Sequence, residues 1–346
     1  MSATPAPLPV RSPWFDRDTA LYLGQRLIQA LITLLLASAL CFFVIQLAPG
    51  DYLSALKENP QISPERVKEL QAQFGLDKSW WQQYLRWLWQ VVSQGNFGES
   101  FAYQRSVASL LLERVPATLL LAFSSLILTW ALAIPLGIVA AVRQNQPLDR
   151  LLRSLSYLGQ GFPSFVAALL LLILAQNLSP LLPVGDMTSL NYDDLTPLGK
   201  ALDLSWHLLL PTLALTLTSL AGLQRITRGE LLDVLRRDYV RTARAKGLPE
   251  SRVIYIHALR NAVNPLVTLL GFEFSNLLSG AFITEQLFNW PGLGRLILQA
   301  VMSQDLYLVM ASLMMGAVML ILGNLLADLL LKVVDPRVKL GADLGL

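Results

Sequence analysis

Titratable side chains are scarce in the apolar parts of this chain, and their spacing excludes most chemistry. It contains two histidines, His207 and His257, and one cysteine, Cys41, with no two of the three near each other. A zinc site therefore has few ligands to work with, and an intrachain disulfide is impossible. No GxxxxGK[ST] phosphate loop occurs, which argues against ATP hydrolysis by the chain itself. Glu273 is the one carboxylate well inside an apolar run; Asp305 and Asp328 lie nearer the ends of theirs. A lone charge at that depth is costly and should face protein or water. Two readings follow, a group lining a translocation path, where it could couple to protons, or a structural hydrogen bond. Positive charge is concentrated instead, in RRDYVRTARAKGLPESRVIYIHALRNAVN at residues 236–264.

The elements that hold these residues follow from hydropathy. Apolar residues make up 54% of the 346 positions and charged ones 15%, against roughly 25% charged in a soluble domain, and mean hydropathy is +0.50. Spanning a hydrocarbon core takes roughly 20 apolar residues. Six runs meet that length, 27–48, 117–142, 155–178, 207–224, 263–284 and 306–331. The expected fold is an all-α integral membrane protein with six transmembrane helices. A polar segment with Pro5, Pro7, Pro9 and Pro13 precedes the first run, which reads as a retained anchor rather than a cleaved signal. Cys41 reads as a small membrane-buried side chain.

Charge asymmetry sets the orientation, since Lys and Arg stay cytoplasmic in short loops. Arg11, Arg17 and Arg26 precede the first span, Arg143, Arg150 and Arg153 follow the second, and Lys332, Arg337 and Lys339 close the chain. The loop after the fourth span is richest in arginine, whereas loop 179–206 carries Lys200 against four aspartates and loop 285–305 only Arg295. Both termini are thus expected in the cytoplasm, as tails 1–26 and 332–346. Segment 49–115 forms an external loop, and the core, 116–331, includes a cytoplasmic hairpin at 225–262. The net charge of +3 is placed by these loops and calls for no nucleic acid.

Within the external loop, SPERVKELQAQFGL has the marks of a short helix, with Ser63 as cap, Pro64 in first position and Gly75 at the end. Trp80, Trp81, Tyr84, Trp87 and Trp89 follow, as an interfacial aromatic belt or as part of the outer mouth. Pro135, Gly137, Gly159 to Pro163, Pro211, Pro265 and Gly271 interrupt spans, either permitting close packing or acting as hinges.

The basic loop reads as two helices joined by a turn. GELLDVLRRDYVRTARAK contains no breaker and sets Leu231, Leu235 and Tyr239 on one stripe, with Leu232 and Val240 beside it. Gly247 suits a left-handed helix end, and Pro249 the first turn of a second helix, PESRVIYIHALRNA. Anionic lipid or topology alone would account for the charge. A docking surface for a soluble partner accounts for both charge and shape, because it needs apolar anchors in a charged rim.

DYVRTARAKGL followed by HALRNA and Pro265 resembles the cytoplasmic loop signature of permease subunits of binding-protein-dependent ABC importers, in the form used by the dipeptide, oligopeptide and nickel group. Arg241, Thr242, Ala243 and Gly247 hold the first part of that signature, and His257, Leu259 and Arg260 the last. The sequence departs from the general family letters at Arg241, Thr242, His257 and Arg260, as the peptide group does. QLAPGD, GNFGES, PATLLL, IPLGIVAAVR, EQLFNWPGLGRL and DPRVK follow in the family's order. Glu285, Phe288, Trp290, Pro291, Gly292, Gly294 and Arg295 form the second most specific piece. Where the family often has Arg-Asp after it, this chain has Gln304 and Asp305.

The resemblance implies a multi-pass subunit of the bacterial inner membrane that is not an enzyme and binds no cofactor itself, ATP and magnesium residing on partner subunits. Its implied partners are a homologous second permease, two cytoplasmic ABC ATPases, an extracytoplasmic substrate-binding protein and membrane lipids. Contact with the ATPases would fall to Asp238, Tyr239, Arg241, Thr242, Ala243, Arg244, Gly247, Leu248, Val253, Ile256, His257, Arg260 and Asn261. Of these, Leu248, Val253 and Ile256 are candidate apolar anchors, Arg241, Arg244 and Arg260 candidate ion-pair partners, and His257 reads as a structural hydrogen bond. The implied cargo is a peptide, with nickel complexes, glutathione and opines as alternatives. A proton-coupled secondary transporter using Glu273 is the rival class, but it leaves the hairpin unexplained.

Overall fold

The computed structural model describes residues 17–47, 63–73, 77–178 and 182–334. The expectations for Arg11, Gly75, Arg337 and Lys339 lie outside them. In chain order the helices are α1 (Arg17–Leu47), α2 (Pro64–Gln73), α3 (Trp80–Gln94), α4 (Val107–Val142), α5 (Pro147–Gly161), α6 (Ser164–Asn177), α7 (Pro197–Leu235) and α8 (Asp238–Ala245). A short α9 (Glu250–Arg252) passes through a π-helical stretch (Val253–Ala258) into α10 (Leu259–Leu287), followed by α11 (Leu293–Met302) and α12 (Leu306–Val334). Among the described residues four helices are long and apolar enough to cross a membrane, or up to six spans if each of two bent helix pairs is one span.

The long helices overrun the spans read from hydropathy because their ends are capped in polar loops. Ser106 caps α4 by accepting the Ser109 amide, and Thr196 caps α7 by accepting that of Gly199, with Pro197 in the first turn. Thus α7 starts inside the expected loop 179–206 and, at 39 residues, is about 58 Å long at 1.5 Å per residue. Pro116, Pro135 and Pro211 lie within continuous helices, and Pro265 lies in α10 just before its 48° bend between Val267 and Leu269.

The single span expected at 155–178 is instead broken. Pro163 lacks a donor and disfavours helix in the residue before it; Phe162 is extended, at φ −94° and ψ 121°, and α5 and α6 meet at 101°.

Packing runs along α4. Its N-terminal end meets α11 and α12 through Val107, Leu110, Leu111, Leu293 and Leu308. Its middle meets α10 and the following turn through Ala117, Leu121, Phe274 and Trp290. Its last turns meet α7 and the hairpin through Ile138, Ala141, Leu231, Ile254 and Ala258. Many of the buried residues are alanines, which let helices approach where the hydrophobic effect offers no drive between them. At Gly137 an added Cβ would stand 2.6 Å from the Thr227 Cβ, so only glycine fits the α4–α7 crossing.

α1 stands more apart, with only 11% of its apolar window buried. It is tied to α12 by Arg26 Nη2 to Asp328 Oδ2 at 2.7 Å and to α3 through Ser38 and Tyr84, whose hydroxyls are 2.9 Å apart. The aromatic run divides between two environments. Trp87 is buried and donates to the Phe97 carbonyl at 3.1 Å, whereas Trp80, Trp81 and Trp89 are exposed.

Candidate functional site

Two assemblies hold the sequence-derived candidates, one at the C-terminal end of α4 and one beside Ala117 and Thr118 further up the same helix. The first is the basic hairpin. Its first helix is not continuous as expected: α7 ends at Leu235, and Arg237, extended at φ −70° and ψ 150°, starts α8. No residue there is a strong breaker, so tertiary packing overrides local propensity. The turn brings Val240 and Ala243 onto Val253, with Leu248 half-buried beside them. It also leaves Tyr239 exposed rather than in line with Leu231, which is fully buried.

The joint between the two arms is built on Gly247. At φ +76° it occupies the left-handed region, and its amide donates to the Arg244 carbonyl at 2.9 Å. Across the joint, Arg244 holds Glu250 with Nη2 to Oε1 at 2.6 Å and Nε to Oε2 at 3.1 Å. Arg241 and Asp238 are 3.6 Å apart and both largely in solvent.

Val253 is therefore internal, sealing the hairpin rather than presenting itself outward. The apolar side chains that face outward are Ile256 with Tyr239 and Tyr255, at 52%, 45% and 59% exposure. Thr242, Arg244, Arg260 and Asn261 are exposed as well, and His257 is half-buried. Thr242 and Asn261 each hydrogen-bond a carbonyl four residues back in their own helices.

The second assembly is the turn between α10 and α11. Hydropathy leaves 285–305 as a loop, but an apolar ten-residue helix, α11, occupies half of it. Glu285 is fully buried and points its carboxylate at the start of that helix. Oε2 accepts the amides of Gly294 at 2.7 Å and Arg295 at 3.2 Å, and Oε1 accepts the Thr118 hydroxyl at 2.6 Å. A carboxylate there satisfies orphan donors and meets the positive end of the helix dipole.

The surrounding turn locks that cap in place. Thr118 Oγ1 accepts the Leu293 amide at 2.7 Å, and Trp290 donates its indole N–H to the Ala117 carbonyl at 2.9 Å. A Cβ at Gly292 would collide with the Glu285 carboxyl, and one at Gly294 would stand 2.5 Å from Phe282 Cα. Arg295 donates to the Asn289 carbonyl at 3.0 Å. Pro291 is half-buried in the same turn.

Glu273, by contrast, is half-buried, with Ser219 of α7 beside it. Asp305, near the start of the last apolar run, caps α12 through the Leu308 amide at 3.2 Å. It also accepts the Ser100 hydroxyl at 2.6 Å and the Ala102 amide at 3.0 Å, tying down the segment after α3. Thr118 was legible only as one letter of PATLLL, because its partners lie 167 and 175 residues away.

A membrane bundle with a rigid polar hairpin at one end and a locked turn at the other has the parts of a transport subunit. Residues 133–340 match the family of binding-protein-dependent transport system inner membrane components, and residues 20–122 match the N-terminal part described for such components. The chain belongs to this family, as a permease subunit of a binding-protein-dependent ABC importer and a multi-pass protein of the bacterial inner membrane.

Within the family it is similar to the oligopeptide transport system permease protein AppB of Bacillus subtilis (strain 168), with 36% identity across 92% of this chain and 99% of the relative. It is likewise similar to the dipeptide transport system permease protein DppB of Escherichia coli (strain K12), with 38% identity across 92% of this chain and 98% of the relative. A chain of the MetNI methionine ABC transporter, solved in inward facing conformations, has the same fold over 66% of this chain and 97% of its own, with a TM-score of 0.54 at 15% identity.

Proposed function

We propose that this permease pairs with a homologous one and imports peptides delivered by an extracytoplasmic binding protein, driven by two cytoplasmic ABC ATPases that grip the hairpin. The observation that carries this reading is the hairpin itself. Its interior is closed by Val240, Ala243 and Val253, and its joint is set by Gly247 and the Arg244–Glu250 pair. Its exposed side chains include the apolar Tyr239, Tyr255 and Ile256 among many basic ones, the composition of a docking surface. The arginine-rich loops support a cytoplasmic location for the hairpin and both termini.

In this mechanism ATP-driven closure of the ATPases displaces the hairpin, and α4, α7 and α10 convert that displacement into rocking between inward-open and outward-open states. The Glu285 turn, on the opposite side, offers the binding protein a surface that keeps its shape during rocking. The names of the similar permeases support di- and oligopeptides as cargo.

Affinity purification of the tagged permease in mild detergent tests the assembly. ATPase subunits and a second permease co-purify with it, and a Tyr255→Glu variant in the membrane loses the ATPases. A permease that purifies without ATPases yet sustains uptake would overturn the reading.

A further inference from the structure

The contact between α5 and α7 carries a polar spine that neither the hairpin nor the outer turn uses. At its cytoplasmic end Arg228 grips Asp149 with two hydrogen bonds, Nε to Oδ1 at 2.7 Å and Nη2 to Oδ2 at 2.9 Å. The Asp149 side chain is fully buried, and its Oδ2 also accepts the Asn145 amide at 2.8 Å. Further along, the Ser156 hydroxyl donates to Gln224 Oε1. Beyond that, a Cβ on Gly159 would stand 2.9 Å from the Ala221 Cβ.

Positions 149, 156 and 159 fall on one stripe of α5, and 228, 224 and 221 on one stripe of α7, so the helices run past each other in opposite senses. A buried ion pair repays its desolvation only with excellent geometry, and its best-attested use is to select one arrangement of the elements it joins. The bidentate guanidinium adds direction, and the Gly159–Ala221 contact removes the slack that larger side chains would leave.

Both ends of this spine sit at mechanical positions. Arg228 lies on the last turns of α7, which hands over to the hairpin after Leu235. α5 ends at Gly161, beyond which Phe162 and Pro163 turn the chain by 101° into α6. We propose that α5 is a lever arm clamped to α7 by the Asp149–Arg228, Ser156–Gln224 and Gly159–Ala221 contacts, so that displacement of the hairpin reaches α6 at the Phe162–Pro163 break. Asp149 and Arg228 are then positioning residues of the transport cycle. This rests on the hairpin being the element that the ATPases displace.

Because the clamp stays shut throughout the cycle, a covalent bond across it costs no transport. In a Cys41→Ser background, Gly159→Cys with Ala221→Cys places two thiols across the contact, and their Cβ atoms need to separate only to about 3.8 Å for a disulfide. The permease is reconstituted in liposomes with its second permease, ATPases and binding protein, and peptide uptake is measured after oxidation and after reduction. Equal uptake in the two states is expected; loss on oxidation with recovery on reduction would overturn the proposal.

Opening the clamp gives the complementary measurement. Asp149→Ala is expected to retain its ATPases on purification but to lose most uptake per ATP hydrolysed, and Asp149→Asn, which keeps an acceptor for Arg228, to lose less. Unchanged uptake per ATP in Asp149→Ala would also overturn the proposal, and if that variant does not fold, the cross-link result decides. Failure of the underlying coupling reading is recognised separately, as uptake by the unaltered permease without ATP.

Discussion

Thr118 and Glu285, 167 residues apart in the chain, are joined by a 2.6 Å hydrogen bond in the buried interior of the bundle. The contact makes the α10–α11 turn a part of α4 rather than a free loop. Thr118 is used twice, donating to the carboxylate and accepting the Leu293 amide. Substitutions there have graded consequences. Thr118→Ser keeps both bonds and is expected to behave as the parent, while Thr118→Val strands a buried amide at a cost of about 1–3 kcal/mol. Thermal unfolding in detergent measures the difference, and equal midpoints for Val and Ser would contradict the arrangement.

Glu285→Gln preserves size but turns an amide toward the Gly294 and Arg295 donors, removing charge-assisted bonds of about 1.5–3 kcal/mol. The expected outcome is a lower unfolding midpoint together with reduced binding-protein-dependent uptake. A variant as stable as the parent would show that the helix start needs no anion.

Gly292→Ala and Gly294→Ala test the closeness of the turn, since the added methyl collides with the Glu285 carboxyl in the first and with Phe282 in the second. Each is expected to cost about 1–3 kcal/mol as an overpacked site, read as lower membrane abundance and a lower unfolding midpoint. Gly229→Ala, where an added Cβ meets nothing within 4 Å, serves as the silent control.

Much of this architecture is legible in the sequence for simple reasons. Hydropathy locates the spans because a bilayer demands long apolar runs, and Gly247 marks the hairpin joint because few other residues suit its positive φ; Pro249 stands just before the second arm rather than in its first turn. What is not legible depends on distant partners. Nothing local distinguishes Asp149 from any loop aspartate until Arg228, 79 positions on, closes over it. The break between α7 and α8 has no breaker to announce it; it exists because Val240 must reach Val253. Pro163 stops a helix while Pro116, Pro135, Pro211 and Pro265 do not, a distinction set by surrounding packing. Glu273 stands out in the sequence by its depth, yet of the two glutamates it is Glu285, at the edge of the same run, that is fully buried.

Glu273→Gln keeps an acceptor for Ser219 and is expected to leave ATP-driven uptake and its pH profile unchanged. A shifted or flattened profile would make Glu273 a proton-carrying group of the pathway.

Gly247 separates strain from crowding, because an added Cβ meets nothing within 4 Å although φ is +76°. Gly247→Asn, which tolerates the left-handed region, is expected to retain most uptake. Gly247→Val, β-branched and strained there, is expected to abolish uptake and coupled ATPase activity while remaining in the membrane. Normal uptake by Gly247→Val would remove the hairpin angle from the mechanism.

The most direct measurement of the central claim is peptide uptake into liposomes holding this permease with its second permease, ATPases and binding protein, with and without ATP at the hairpin side and with an imposed proton gradient. The account predicts accumulation that requires both ATP and the binding protein and is indifferent to the gradient. Accumulation driven by the proton gradient without ATP would contradict it.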